Sequence, residues 1–169
     1  ISVGVGGPVF KGGGAFRQRL SIYDARDVIQ ANNVRAQVFV ASNRDLMVLQ
    51  IDDQRDEPKP IRIKLYMWEP PVIENGPHTA SYIFRTTGAS PSVTRTFREG
   101  DYYCSGAVAI ETPGRGDATI EKPDERSRVI VLPPQSGKTT ILVASAATWD
   151  KSEDLQATLR SIFTKSRSK

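Results

Sequence analysis

Charged and aromatic side chains are concentrated at residues 98–103, REGDYY. Arg98, Glu99 and Asp101 have groups that pair, transfer protons or bind polar ligands, and Tyr102 and Tyr103 each offer a ring and a hydroxyl. Two interpretations stay open. In the first, this density marks a contact site for a ligand or partner. In the second, Gly100 between two acids forms a tight turn, Arg98 pairs with Glu99 or Asp101, and the tyrosines pack inward.

The histidine and cysteine content restricts the kinds of catalytic and metal sites that the chain can form. His78 is the single histidine and Cys104 the single cysteine, so the chain alone provides no histidine triad, no Cys–His pair and no multi-histidine or cysteine-based metal site. Cys104 lies beside an apolar run and is expected to be a packed thiol. We therefore predict no metal and no cofactor. Acid–base chemistry would depend on carboxylates, of which the candidates are Glu99, Asp101, Asp52 and Asp53.

The two tryptophans are candidates for stacking on a ligand. Trp68 lies opposite the apolar face of its predicted strand and just before Glu69-Pro70-Pro71, so packing and ligand contact both remain open for it. Trp149 lies at a junction between a strand and a helix, and we expect it to pack the helix on the sheet.

Two short motifs are present without the context that would make them functional. Gly137-Lys138-Thr139 resembles the end of a phosphate-binding loop, but Leu132 stands where that motif needs glycine, and a strand pattern follows. Arg115-Gly116-Asp117 spells the integrin-binding tripeptide, which we interpret as an ordinary solvated loop because a tripeptide recurs by chance.

Composition places the chain among globular proteins. Its 169 residues are 38% hydrophobic and 25% charged, with a net charge of +4. Acids and bases are mixed along most of the chain, so we predict no nucleic-acid partner, and no apolar run reaches the ~20 residues of a membrane span. The chain starts with Ile1 and shows no signal peptide, from which we expect it to be a piece of a longer protein.

Alternating apolar residues predict an all-β fold. We expect nine short strands, with residues 24–33 as a polar connection; the strands fall at 16–22, 34–40, 46–51, 61–67, 82–85, 93–97, 107–110, 128–132 and 139–146. Leu155, Leu159, Ile162 and Phe163 recur at helical spacing, and Asp150 with Glu153 would cap that helix. The predicted organisation is a glycine-rich lead-in at 1–14, an antiparallel β-sandwich at 15–148, and a helix with a basic tail at 149–169.

Four stretches resemble one known family. They are RQRLSIYDA at 17–25, VFVASNRDLMVLQIDD at 38–53, FREGDYYCSGAVAI at 97–110 and LVASAATWDKSEDL at 142–155. Together they resemble the N-terminal β-domain of bacterial proteins related to glycoside hydrolase family 95. The resemblance covers most of residues 15–163 and is most specific at FREGDYYC. The opening segment of the family's β-domain is missing or altered, and nothing here resembles the family's helical toroid.

The resemblance implies a fold and a function. In that family an antiparallel super-sandwich precedes an (α/α)₆ toroid, joined by a helical linker, and the catalytic carboxylates belong to the toroid. None of them has a counterpart here, so no catalytic residue is assigned. The resemblance also implies a secreted or periplasmic parent protein, and makes residues 149–169 a linker to its catalytic domain.

The sequence therefore predicts a non-catalytic, super-sandwich-type β-domain that packs on a catalytic toroid, with a contribution to the sugar cleft as the finer part of the prediction. Two alternatives stay open. A free-standing carbohydrate-binding module would be favoured by one exposed platform of Trp68, Tyr102 and Tyr103, and a structural or adhesive domain without ligand by burial of those rings. Fold alone does not decide between these functions.

Overall fold

A computed structural model describes residues 1–7, 9 and 15–167, and the prediction of an antiparallel β-sandwich with one C-terminal helix is confirmed. The described residues form thirteen strands and one helix. These are β1 Ser2–Gly4, β2 Arg17–Ser21, β3 Arg26–Ala31, β4 Val34–Val40, β5 Leu46–Asp53, β6 Ile61–Tyr66, β7 Val72–Asn75, β8 His78–Thr87, β9 Ser90–Glu99, β10 Tyr102–Glu111, β11 Thr119–Glu121, β12 Ser127–Leu132, β13 Gly137–Thr148 and α1 Leu155–Arg167.

The strands form one large and one small antiparallel sheet. The nine-stranded sheet has the order β2-β3-β4-β5-β13-β10-β9-β8-β7, and the four-stranded sheet has the order β1-β6-β12-β11. The small sheet covers one face of the large sheet, and α1 packs on the other face. Within the described residues, no helix is long and apolar enough to cross a membrane.

The core between the two sheets follows from strand alternation. On β6, Ile61, Ile63 and Leu65 are buried while Arg62 and Tyr66 are exposed. The large sheet meets them with apolar residues of β5, β9, β10 and β13. Because successive strand residues point to opposite faces, this pattern fixes which face of each strand meets the small sheet.

A second core lies between the large sheet and the helix. Ala107 and Ala109 of β10 face α1, and their small side chains let Leu155, Leu159 and Phe163 pack closely. These three helix residues are at most 5% exposed, which confirms the predicted apolar face of the helix. The alternate residues of β10, Val108 and Ile110, belong to the core between the sheets.

The predicted start of the helix is wrong by several residues. Asp150 accepts a hydrogen bond from the Ser152 amide (2.8 Å) and caps a turn, whereas Asp154 accepts one from the Gln156 amide (2.9 Å) and is the N-cap of α1. The prediction for Trp149 is also wrong. Because the helix begins only at Leu155, Trp149 belongs to the preceding turn, where it is 72% exposed.

Four strands are absent from the sequence prediction. Residues 24–33 contain β3, which enters the large sheet through a turn in which Asn32 and Asn33 both have positive φ, 46° and 62°. That turn chemistry suits a tight hairpin. The other three, β1, β7 and β11, have only three or four residues each, too few to show a clear alternation.

The first residues of the chain pack on the small sheet. Although residues 1–14 are predicted as a lead-in, β1 pairs with β6, and Val5 and Val9 are buried. Arg55 donates hydrogen bonds to the carbonyl oxygens of Val5 (2.6 Å) and Gly6 (2.8 Å). Residues 8 and 10–14 of the lead-in, and 168–169 of the basic tail, lie outside the described residues. The division of the chain into three parts stays a prediction.

The integrin-like tripeptide lies in a loop, as predicted, and Gly116 and Asp117 are exposed, but the prediction of a solvated segment is wrong for Arg115, which is buried. Arg115 has a side chain only 6% exposed and pairs with Asp117 at 2.8 Å. It also donates to the carbonyl oxygen of Pro133 (2.7 Å) and to the hydroxyl of Thr139 (3.3 Å). Thr139 follows Lys138 on β13, consistent with the rejection of a phosphate-binding loop.

Candidate functional site

The residues singled out by the sequence lie at one end of the β9–β10 hairpin. Glu99 and Tyr102 form its last strand pair, leaving Gly100 and Asp101 as a two-residue loop. Gly100 has a φ of 55°, in the left-handed region that glycine adopts without strain. The predicted glycine-centred turn is therefore present, and the open question is where its side chains point.

Strand alternation divides these residues between the two faces of the large sheet. Glu99 and Tyr102 are cross-strand partners on the face that also carries the core between the sheets, whereas Arg98 and Tyr103 are partners on the face that carries α1. Asp101 is exposed in the loop. The two tyrosines therefore cannot belong to one platform, although both belong to one hairpin.

On the first face, four side chains form a surface that we call the ledge: His78, Phe97, Glu99 and Tyr102. Nδ1 of His78 lies 3.0 Å from Oε2 of Glu99, so the partner of Glu99 is His78 and not the expected Arg98. The ring of His78 stacks on Phe97 with centroids 6.2 Å apart, and Phe97 meets Tyr102 edge-on at 6.0 Å. Tyr102 is 50% exposed, which leaves its ring accessible.

The face that carries the ledge contacts the β6–β7 connection through Glu69. Arg95 lies two residues before Phe97 on the same face of β9, and its guanidinium is 2.7 Å from the Glu69 carboxylate. The Tyr82 hydroxyl donates to the carbonyl oxygen of Glu69 (3.0 Å), and burial raises the pKa of this tyrosine above its ordinary value. These contacts fix the backbone beside Trp68, whose side chain is 79% exposed.

On the second face, Tyr103 lies between two cations. The guanidinium carbon of Arg98 and the ammonium nitrogen of Lys151 are each 5.8 Å from the centroid of its ring, a distance at which cation–π attraction operates. Since Lys151 belongs to the turn before α1, this contact joins the hairpin to the turn that leads into the helix. Arg98 and Tyr103 thus have a structural role in addition to the predicted contact role.

The remaining acidic candidates have partners of their own. Asp53 is 1% exposed and accepts hydrogen bonds from the Arg55 side chain, and Asp52 accepts one from Gln54. Within the ranges that the structure describes, no group of three or more histidine, cysteine, aspartate or glutamate residues is arranged to hold a metal ion. The ledge thus offers aromatic faces beside charged hydrogen-bonding groups, a chemistry suited to binding a polar ring.

Sequence reasoning missed His78 and Phe97 as members of the site. Both acquire their roles from the register of β8, β9 and β10, which places His78 opposite Glu99 and Glu99 opposite Tyr102. A depression of about 710 Å³ lies away from the ledge, beside Arg17, Gln30 and Arg35 of β2–β4. This depression and the residues selected from the sequence therefore lie at different places on the protein. We take the ledge as the candidate site because it contains or adjoins the residues that the sequence selects.

No protein-family model matches the chain, and no curated protein matches it. A solved structure described as "Putative kojibiose phosphorylase from human microbiome" is similar with a TM-score of 0.44 and 9% sequence identity. The alignment covers 90% of this chain and 22% of that one, so the present chain spans about a fifth of the length of that neighbour.

Proposed function

We propose that the chain is a non-catalytic N-terminal β-sandwich domain of a glycoside hydrolase-like protein, where it packs on a catalytic helical toroid and contributes the ledge to the rim of the sugar cleft. The observation that carries this proposal is the ledge itself, with Tyr102 half exposed. Trp68 is 79% exposed and precedes Glu69, which pairs with Arg95 on the same face of β9. Flat aromatic faces stack on the apolar faces of sugar rings, and neighbouring charged groups bind the hydroxyls. The sequence resemblance supplies the class of parent protein, and with it a secreted or periplasmic location.

The contacts of the carboxylates near the ledge support a non-catalytic role. Glycoside hydrolysis generally needs two carboxyl groups about 5–5.5 Å apart for retention or about 6.5–9.5 Å apart for inversion, one of them protonated. Near the ledge, Glu99 lies against His78 and Glu69 against Arg95. Each of these two carboxylates is therefore engaged in a side-chain contact within the domain.

The exposure of the rings bears on the two alternatives. A free-standing binding module was expected to present Trp68, Tyr102 and Tyr103 as one platform, but Tyr103 lies on the opposite face from Tyr102 and is half-buried between Arg98 and Lys151. A structural domain without ligand was expected to bury the rings, but Trp68 and Tyr102 are exposed. The cleft-rim role requires an exposed ring only on the face of the sheet that carries the ledge, and Tyr102 is exposed there.

The proposal is tested with two aromatic substitutions in the full-length parent protein, Trp68→Ala and Tyr102→Ala. Each removes an exposed ring, so the thermal midpoint should stay nearly constant. The value of kcat/KM for an oligosaccharide substrate should fall about threefold to tenfold, the loss expected for one aromatic contact.

Matched controls are available on other surfaces. Tyr66→Ala removes a ring from the outer face of the small sheet, and Tyr23→Ala removes one from the β2–β3 turn, where Tyr23 is 99% exposed. Neither should change kcat/KM. Equal losses in the controls and the ledge variants, or no loss at Trp68 and Tyr102, would contradict the proposal.

A further inference from the structure

The outer half of the large sheet carries a basic face that the ledge does not include. Four exposed arginines, Arg17 and Arg19 of β2, Arg26 of β3 and Arg35 of β4, lie on the helix-facing side of their strands. Beyond the reach of α1, this side of β2–β4 is open to solvent. We call it the arginine face.

Cross-strand pairing brings part of this face into one row. Arg17 is opposite Gln30, Gln30 is opposite Arg35, and Arg35 is opposite Asp52. Directly opposite residues in antiparallel strands have Cβ atoms about 4.5–5.5 Å apart. The row therefore places one guanidinium group on each side of the Gln30 amide. Arg19 lies beside Arg17 on the same strand.

Two depressions lie over this row. The larger, about 710 Å³, runs from Arg17 to the Asn32-Asn33 turn. The smaller, about 200 Å³, extends along β2 to Arg19, and both are lined by Arg17, Gln30 and Arg35. The surface thus combines guanidinium groups with side-chain amides in one open trough.

The positive charge of the trough exceeds the negative charge in its lining, where three arginines, Arg17, Arg19 and Arg35, face one carboxylate, Asp52. Among the described residues, no carboxylate lies within 4.0 Å of the guanidinium groups of Arg17, Arg19 or Arg35. The one acid in the lining, Asp52, accepts a hydrogen bond from Gln54 at the far end of the row. Like-charged arginines held together on a sheet repel each other, so an anionic ligand would stabilise this arrangement.

We propose that the arginine face binds an acidic oligosaccharide through the carboxylates of its uronic acid residues. Guanidinium groups bind carboxylates in a bidentate manner, and the amides of Gln30 and Asn33 supply donors and acceptors for sugar hydroxyls. The Asn32 amide donates to the carbonyl oxygen of Val9 (2.7 Å). The trough lies on the sheet face, whereas an acidic peptide would typically add to the edge of β2 through main-chain hydrogen bonds. A single-stranded nucleic acid would need stacking aromatics, and among the described residues no aromatic side chain lines either depression.

This site is independent of the proposed cleft-rim role. β2–β4 lie at one end of the nine-stranded order and β8–β10 near the other. Substitutions on the arginine face and on the ledge therefore address different ligands, and either proposal can fail while the other stands.

The test is isothermal titration of the full chain with tetragalacturonate, using its methyl-esterified form as the uncharged comparison. We expect binding of the free acid that weakens as salt is raised, and no measurable binding of the ester. The double variant R17A/R35A should weaken binding by about tenfold or more, as expected for the loss of two charge-assisted contacts.

The matched control is R85A/R160A, which removes the same charge from exposed positions on β8 and α1. It should bind tetragalacturonate like the unmodified chain, and both variants should keep the thermal midpoint. Absence of binding to tetragalacturonate, or an equal loss in R85A/R160A, would overturn the proposal. Equal or tighter binding of a glutamate hexapeptide or an oligothymidylate would also overturn it, in favour of an acidic protein or a nucleic acid.

Discussion

Replacement of Arg55 by methionine should destabilise the fold strongly, because Arg55 neutralises a buried carboxylate. Asp53 is 1% exposed at the end of β5. It accepts hydrogen bonds from Nε of Arg55 (2.8 Å) and from the Arg55 amide (3.2 Å), and lies 2.5 Å from Nη2. The same guanidinium holds the carbonyl oxygens of Val5 and Gly6.

The expected loss follows from the burial of Asp53. Removing one partner of a buried ion pair costs about 3–5 kcal/mol, since an uncompensated charge stays inside. The Arg55 side chain retains 15% exposure, so water reaches part of the site, and a loss near the lower end, about 3 kcal/mol, is expected. The loss of the two carbonyl contacts acts in the same direction.

The loss should depend on pH in a defined direction. Hydrogen bonding from Arg55 holds the pKa of Asp53 below its ordinary value of 3.8. The charged carboxylate therefore contributes stability above pH 3.8, and this contribution disappears as the pH falls through the lower pKa of the folded state. In Arg55→Met the buried carboxylate favours protonation instead, so the two proteins should become more similar in stability at acidic pH.

The assay is urea unfolding followed by tryptophan fluorescence, near neutral pH and in acid. Arg62→Met is the matched control, because Arg62 pairs with Glu121 at the surface, where both side chains are about half exposed, and it should change stability far less. A loss below about 1 kcal/mol for Arg55→Met at neutral pH, or a loss that stays the same in acid, would refute the reasoning.

Three further predictions concern the helix, the buried arginine and catalysis. Leu159→Asp should lower the free energy of unfolding by several kcal/mol because Leu159 is 1% exposed. Ser161→Asp, on the exposed side of α1, should change it by no more than about 0.5 kcal/mol. Similar losses for the two variants in urea unfolding would contradict the packing of α1. Arg115→Met should cost about 1–3 kcal/mol in the same assay, since buried acceptors such as the Pro133 carbonyl lose their donor, and an unchanged midpoint would contradict this. The isolated chain should hydrolyse no aryl glycoside, and turnover abolished by Glu99→Gln would show that it is catalytic.

The parts of the fold that the sequence predicted are strands with a clear apolar pattern. β6 has one face on a core, so its apolar residues recur with period two, whereas β13 lies between both cores and has a continuous apolar run at residues 141–144. β3 lacks this signal, since its residues are mostly half-buried or exposed, and its place in the sheet depends on pairing with β4. The apolar face of α1 was predictable because its buried residues recur at helical spacing. The first residue of the helix was not, because either Asp150 or Asp154 could form the cap.

The candidate site was predictable only as a hairpin. Gly100 between two acids indicates a tight turn, and the turn is present. The division of Tyr102 and Tyr103 between opposite faces follows from strand alternation and was available from the sequence. The contact of His78 with Glu99 was not, because it joins positions on different strands through a register that long-range packing determines.

Amide hydrogen exchange tests the central claim most directly, by comparing the isolated chain with the full-length parent protein. If the ledge lies at the rim of a cleft formed with a helical toroid, peptides covering residues 96–104 and 66–70 should exchange more slowly in the full-length protein, and more slowly again with bound oligosaccharide. Peptides covering residues 22–25, in the exposed β2–β3 turn, should exchange equally in both and serve as the internal reference. Equal exchange of residues 96–104 in the two proteins, with and without oligosaccharide, would contradict the account.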